Sequence, residues 1–213
     1  MKYIQHSCSV VALISIFLLS ACSENNPYVE NEHYTVFENT LDDVIEAQSE
    51  LSEAPVYEFF TYGCSHCQTF APVLANWAKK QNENVVYIPV VWSETTELHA
   101  KAFFLIQKKA EFKTLHAGLF KLTAGFSRTD SIEEQKIALI DWFQQQGIQP
   151  IESLKAIDTS EYEQQLAQSL LLTKRFKVSG TPTLVVNQKY RINNKAVNSQ
   201  KELLEIAKQL LKD

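Results

Sequence analysis

Two cysteines and a histidine share one short stretch, YGCSHCQTFAP, Tyr62 to Pro72. Cys64 and Cys67 are three residues apart, which puts both side chains on one face of a helix, and His66 lies between them. Sulfur pairs at this spacing bind a metal, staple a fold or exchange electrons. Zinc takes four ligands and one CxxC supplies two, with no second CxxC and no spaced histidine pair to complete the set. His99 and His116 stand alone in helical patterns and read as surface or helix-packing residues. Copper carriage is opposed by the single methionine, Met1. A structural staple is also a poor fit, because a loop closed between such near neighbours removes little entropy from the unfolded chain. Redox exchange is the reading that remains, with no metal and no other cofactor expected.

The flanking residues say how the pair is presented. APVYEFFTY, Ala54 to Tyr62, is rich in β-branched and aromatic residues and ends at Gly63, the pattern of a buried strand running into a turn. A helix should follow, since Phe70, Val73, Leu74 and Trp77 recur on one face and Lys79 and Lys80 sit in the last turns. Cys64 therefore falls at a helix N-terminus, where unsatisfied N–H groups and the macrodipole favour a negative sulfur, and it is the expected nucleophile. Cys67, one turn inside, is the expected resolving thiol, which closes the disulfide once a mixed disulfide forms on Cys64. His66 is placed to stabilise the thiolate by its charge or a hydrogen bond. Pro72 is expected to kink the helix. Glu58 interrupts the apolar strand six residues before Cys64. A buried acid is costly unless it is paired or used, and the sequence leaves open whether Glu58 lies in the core or at a solvated strand end.

The N-terminus sets the compartment. Lys2 precedes CSVVALISIFLLSA, Cys8 to Ala21, an uncharged run too short to span a bilayer, so residues 1–21 read as a removable signal peptide. LSAC, Leu19 to Cys22, resembles a bacterial lipoprotein processing site, which would make Cys22 the lipidated first residue, with residues 22–33 a lipid anchor and polar tether. An exported chain meets an oxidising environment. Of the four cysteines, Cys8 leaves with the signal and Cys22 carries the lipid, so only Cys64 and Cys67 remain to react. At 213 residues, 45% hydrophobic and 21% charged, the chain can bury an ordinary core. A net charge of -5 with scattered Lys and Arg excludes a nucleic-acid footprint.

EFFTYGCSHC together with GTPTLVVNQKYRI near the C-terminus resembles the DsbA family of exported thiol:disulfide oxidases. The resemblance implies an α/β, thioredoxin-like fold with an inserted α-helical domain: residues 34–92 and 175–213 forming the thioredoxin-like part and residues 93–174 a helical insertion that frames a groove for unfolded substrates. NVVYIPVVW reads as a second strand, TLVVN and KYRI as a hairpin, and Lys201 to Leu211 as a final helix. By resemblance, Thr181 and Pro182 form a cis-proline loop that faces the cysteines and pairs with substrate backbone, and Glu58 relays protons for Cys67. DsbA itself is the documented case of a first cysteine near ~3.5 against ~8.5 for an ordinary thiol, a family magnitude equal to about 7 kcal/mol in favour of the thiolate. A protein stabilised when reduced oxidises others. The implied partners are reduced exported proteins and a DsbB-like membrane quinone oxidoreductase, acting on a lipid-anchored monomer on the periplasmic side of the envelope. Two residues depart from the common pattern: Ser65 stands where many members carry proline, and Thr181 precedes the cis-proline, a position that varies with redox behaviour. The second strand also lacks a lysine to neutralise Glu58. The alternatives are a reductase or isomerase, or a non-enzymatic lipoprotein that carries metal or acts as a chaperone.

Overall fold

A run of five completely buried residues, Val56–Phe60, forms the strand (β2) on which the reactive turn is built. The computed structural model describes residues 26–37, 54–127, 129–149 and 160–212. β2 lies inside a five-stranded sheet with β1 (Tyr34–Val36), β3 (Val85–Pro89), β4 (Thr183–Val186) and β5 (Tyr190–Ile192), in the order β1-β5-β4-β2-β3. It pairs in parallel with β3 and antiparallel with β4. A parallel neighbour needs a crossover, which α1 (Ser65–Gln81) provides. That helix runs as one element through Pro72 and ends at Asn82, a left-handed residue at φ 59°.

The hairpin of β4 and β5 turns at Asn187 and Gln188, both at positive φ (50° and 54°), with the Lys189 N–H donating to the Val186 carbonyl at 3.0 Å. Mirror-image hairpin turns require positive φ at both central residues, and here two residues other than glycine adopt it. β1 was not apparent from the sequence. It pairs antiparallel with β5, and of the stretch expected as a tether, residues 26–33 fold against the domain: Tyr28 packs on the core beneath β5, and the His33 and Glu32 carbonyls accept from Asn193. The expected signal peptide and Cys22 lie outside the described residues.

Both faces of the sheet are covered. On one, Val56, Leu184, Val186 and Ile192 meet Phe70 and Leu74 of α1 and Leu203, Leu204, Ala207 and Leu210 of α6 (Gln200–Leu210). The other carries Tyr57, Phe59 and Val185 against Leu172 and Phe176. Leu172 lies near the end of α5 (Ser160–Arg175) and Phe176 directly follows it, while the helix's earlier residues Tyr162 and Leu166 touch the separate core of α2 (Glu94–Ile106), α3 (Phe112–Thr123) and α4 (Ile132–Gln145). The helices of the expected insertion therefore do two jobs, with α5 bridging from the helical core to the sheet. Ser93 and Ser131 open α2 and α4 with capping boxes, satisfying donors that a helix start leaves bare. Gly118 of α3 lets the Trp142 ring approach, because a methyl there would lie 2.6 Å from it.

Phe60 joins sheet to helices. Its ring lies 5.2 Å from those of Tyr62, Phe103 and His116 and 5.9 Å from that of Phe120. Replacing Phe60 by alanine should lower unfolding free energy by about 3–5 kcal/mol in urea denaturation; a loss under about 1 kcal/mol would show that the two cores are not joined there.

Candidate active site

Cys64 is the N-cap of α1. Its backbone is extended (φ -98°, ψ 109°), and its sulfur accepts the Cys67 backbone N–H at 3.1 Å. Serine or aspartate oxygens usually fill this position. The sequence-derived helix start is thus correct to the residue, with Cys64 half-buried and Cys67 completely buried. Across from them the Thr181–Pro182 bond is cis, and the Cys64 thiol donates to the Thr181 carbonyl at 3.3 Å. The loop is braced from two sides: the Thr183 hydroxyl donates to the Gly180 carbonyl at 2.8 Å, and the Asn194 amide donates to the Pro182 carbonyl and, at 3.2 Å, to Thr183. Asn194 carried no signal in the sequence, since its role depends on a contact between separate loops.

These contacts push the two thiols apart in acidity. Hydrogen bonding from the Cys67 side chain, with further donors at Thr181 and at the backbone N–H groups of Cys67 and His66, outweighs partial burial and brings Cys64 down from 9.0 to about 6. Burial, and then its bond to Cys64, drives Cys67 the other way. The depression at Cys64 is smaller than the family magnitude. The His66 side chain is exposed with no side-chain hydrogen bond to either sulfur, and its main-chain N–H is among the donors that lower Cys64.

Glu58 lies in the core. Its side chain is 1% exposed, and neither carboxyl oxygen has a hydrogen-bond partner among the described residues. Register places it between Leu184 of β4 and Tyr87 of β3, so a tyrosine stands on the strand where the sequence offered no lysine. Burial first, and the nearby Cys64 charge second, raise its pKa from 4.5 to about 8. A carboxyl in that range can hold or release a proton near neutral pH. Among the described residues no three His, Cys, Asp or Glu side chains are grouped to hold a metal.

A family model described as Thioredoxin matches residues 50–206. The thiol:disulfide interchange protein DsbA of Pseudomonas syringae pv. tomato is 30% identical over 160 residues, spanning 73% of this chain and 72% of that protein. The chain belongs to the DsbA family. The DsbA of Pseudomonas aeruginosa is 22% identical over 205 residues, 95% of this chain and 92% of that one. A crystal structure of Pseudomonas aeruginosa DsbA matches the fold with a TM-score of 0.71 at 22% identity, covering 87% of this chain and 93% of its own. The thioredoxin-like α/β fold expected from the sequence is the fold observed, and the chain is a dithiol–disulfide oxidoreductase of DsbA type.

The Glu58 environment predicts a pH dependence. Between its ordinary pKa and about 8 the folded chain retains a proton that the unfolded chain releases, so Glu58 lowers stability increasingly as pH rises through that window. In the reduced protein, Glu58→Gln should therefore gain on wild type between pH 5 and pH 8 by on the order of 4 kcal/mol in urea unfolding. A constant difference across that range would contradict the buried, proton-holding carboxyl.

Proposed function

We propose that this chain is a lipid-anchored dithiol oxidase of the bacterial cell envelope, which introduces disulfides into reduced exported proteins through Cys64 and Cys67. The observation that carries this reading is the Cys64 sulfur held at 3.1 Å from the Cys67 N–H at the start of α1, beside the Thr181 carbonyl.

In the oxidised protein a substrate thiolate attacks Cys64 Sγ, the Cys64–Cys67 bond breaks, and Cys67 leaves as a thiolate that takes up a proton. A second substrate thiolate then attacks the substrate sulfur of the mixed disulfide. The substrate disulfide forms and Cys64 departs as a thiolate. Its lowered pKa makes it a good leaving group and stabilises the reduced product. Two electrons have passed from the substrate dithiol to the pair. Thr181 and Pro182 hold the substrate backbone against Cys64, and Asn194 keeps that loop in place.

Reoxidation runs through a DsbB-like membrane quinone oxidoreductase, which forms a mixed disulfide on Cys64. Cys67 must then attack Cys64 Sγ, breaking the mixed disulfide and releasing the partner's sulfur as a thiolate, although burial keeps Cys67 protonated. Glu58, as a carboxylate, accepts the Cys67 proton, which is the use that supports an unpaired acid in the core. No helix among the described residues is long and apolar enough to cross a membrane, and attachment is assigned to lipid on Cys22, after removal of residues 1–21, with the domain working as a monomer.

Equilibrated with glutathione, the mature chain carrying Cys22→Ser should show a Cys64/Cys67 reduction potential near about -120 mV, the figure documented for DsbA itself. A value near about -270 mV, that of thioredoxin, would make it a reductase instead. In cells, the Cys22→Ser substitution should abolish fatty-acid labelling and move the protein from the membrane to the soluble fraction; unchanged labelling would remove the anchor from Cys22.

A further inference from the structure

α3 grips the reactive turn at two points on one residue. The Tyr62 hydroxyl lies 2.7 Å from His116 Nδ1, and the Tyr62 carbonyl lies 2.9 Å from the Thr123 hydroxyl, whose one proton it shares with the helix's own Leu119 carbonyl at 2.9 Å and Phe120 carbonyl at 3.3 Å. His116 and Thr123 are seven residues apart, close to two helical turns, and so face the same way. All three side chains are buried. Tyr62 precedes Cys64 by two residues, and the Cys64 N–H donates to the Thr61 carbonyl at 3.1 Å. The backbone that delivers the nucleophile is thus fixed by a helix of the other core, not by its own sheet alone.

The chemistry of the contact points to more than space-filling. The His116 ring lies among Phe60, Phe112, Phe120 and Tyr87 at centroid distances of 5.2, 5.0, 4.9 and 5.1 Å. Its Nε2 has no hydrogen-bond partner among the described residues. Burial lowers its pKa to about 3, so the ring is neutral. The titratable groups that face it are Tyr62 and Tyr87, with Glu58 beside Tyr87 on the neighbouring strand. An orphaned buried nitrogen costs about 1–3 kcal/mol, and a leucine would fill the same volume without one. What a leucine lacks is the bond to Tyr62.

We propose that His116 and Thr123 are positioning residues that clamp Tyr62 and thereby set how Cys64 is presented to the N–H groups of α1 and to Thr181. The helical block then tunes the reactive sulfur as well as flanking it. This inference rests on Cys64 being the nucleophile of the proposed function. Tyr62 serves as the lever because α3 holds both its ends.

The test is the rate of Cys64 alkylation as a function of pH, read beside urea unfolding, for chains in a Cys22→Ser background. Tyr62→Phe and Thr123→Val should each shift the midpoint upward by about one unit, a tenfold loss of rate below it. Tyr62→Phe combined with His116→Phe should be no slower than Tyr62→Phe alone, as expected for two members of one bond. Thr123→Ser, which keeps the hydroxyl, should restore the wild-type profile. Profiles that superimpose on wild type while only the unfolding midpoint falls would overturn the clamp, and the Thr123 pair decides the matter alone if Tyr62→Phe does not fold. A wild type with no thiol reactive below pH 7 would overturn the nucleophile assignment, and the clamp with it.

Discussion

The sulfur of Cys64 takes the place of a capping oxygen at the start of α1 and accepts the N–H of Cys67, and most of the site depends on that one substitution of sulfur for oxygen. A helix start leaves several N–H groups without partners. A thiolate satisfies them better than a thiol does, because hydrogen bonds to a charged acceptor are the stronger ones. The same turn places Cys67 inside the helix and out of solvent, so a single geometric fact makes one thiol acidic and the other resistant to ionisation. Everything else around the pair fixes this arrangement: β2 delivers the chain to it, the cis-proline loop closes one side, and α3 holds Tyr62 just before it.

Glu58 carries the opposing constraint. Burial first, and the charge of the Cys64 thiolate second, make a carboxylate at Glu58 hard to hold. With no lysine on β3 and with Tyr87 as its register neighbour, the acid is left without a counter-charge on that strand. Such a group weakens the fold as pH rises toward its raised pKa.

Much of this was legible in the sequence where the controlling interactions are local. Cys64 as a helix start, Cys67 one turn in, the apolar strand before them and the hairpin near the C-terminus all follow from patterns a few residues long, and each appears within two residues of its expected place. Thr181 and Pro182 were readable only through family resemblance. Local pattern failed where distance in the chain is large. β1 is a three-residue edge strand whose partner lies more than 150 residues away, too short to leave a periodic signature. His66 lies in the expected turn, with an exposed side chain and its main-chain N–H toward Cys64. Glu58 was undecided because burial of a strand residue depends on both neighbouring strands, and the bond from His116 to Tyr62 spans 54 positions that no window connects.

A fold that favours the reduced dithiol through the Cys64 thiolate is tested directly by urea unfolding of the oxidised and reduced chains side by side. Cys64 has a folded pKa of about 6, below its ordinary 9.0, so its contribution is complete above the ordinary value and disappears as pH falls through about 6. The reduced chain should unfold at higher urea than the oxidised chain at pH 7, with the gap widening from pH 6 to pH 9. An oxidised chain that is the more stable across this range, as a structural disulfide would make it, would contradict the account.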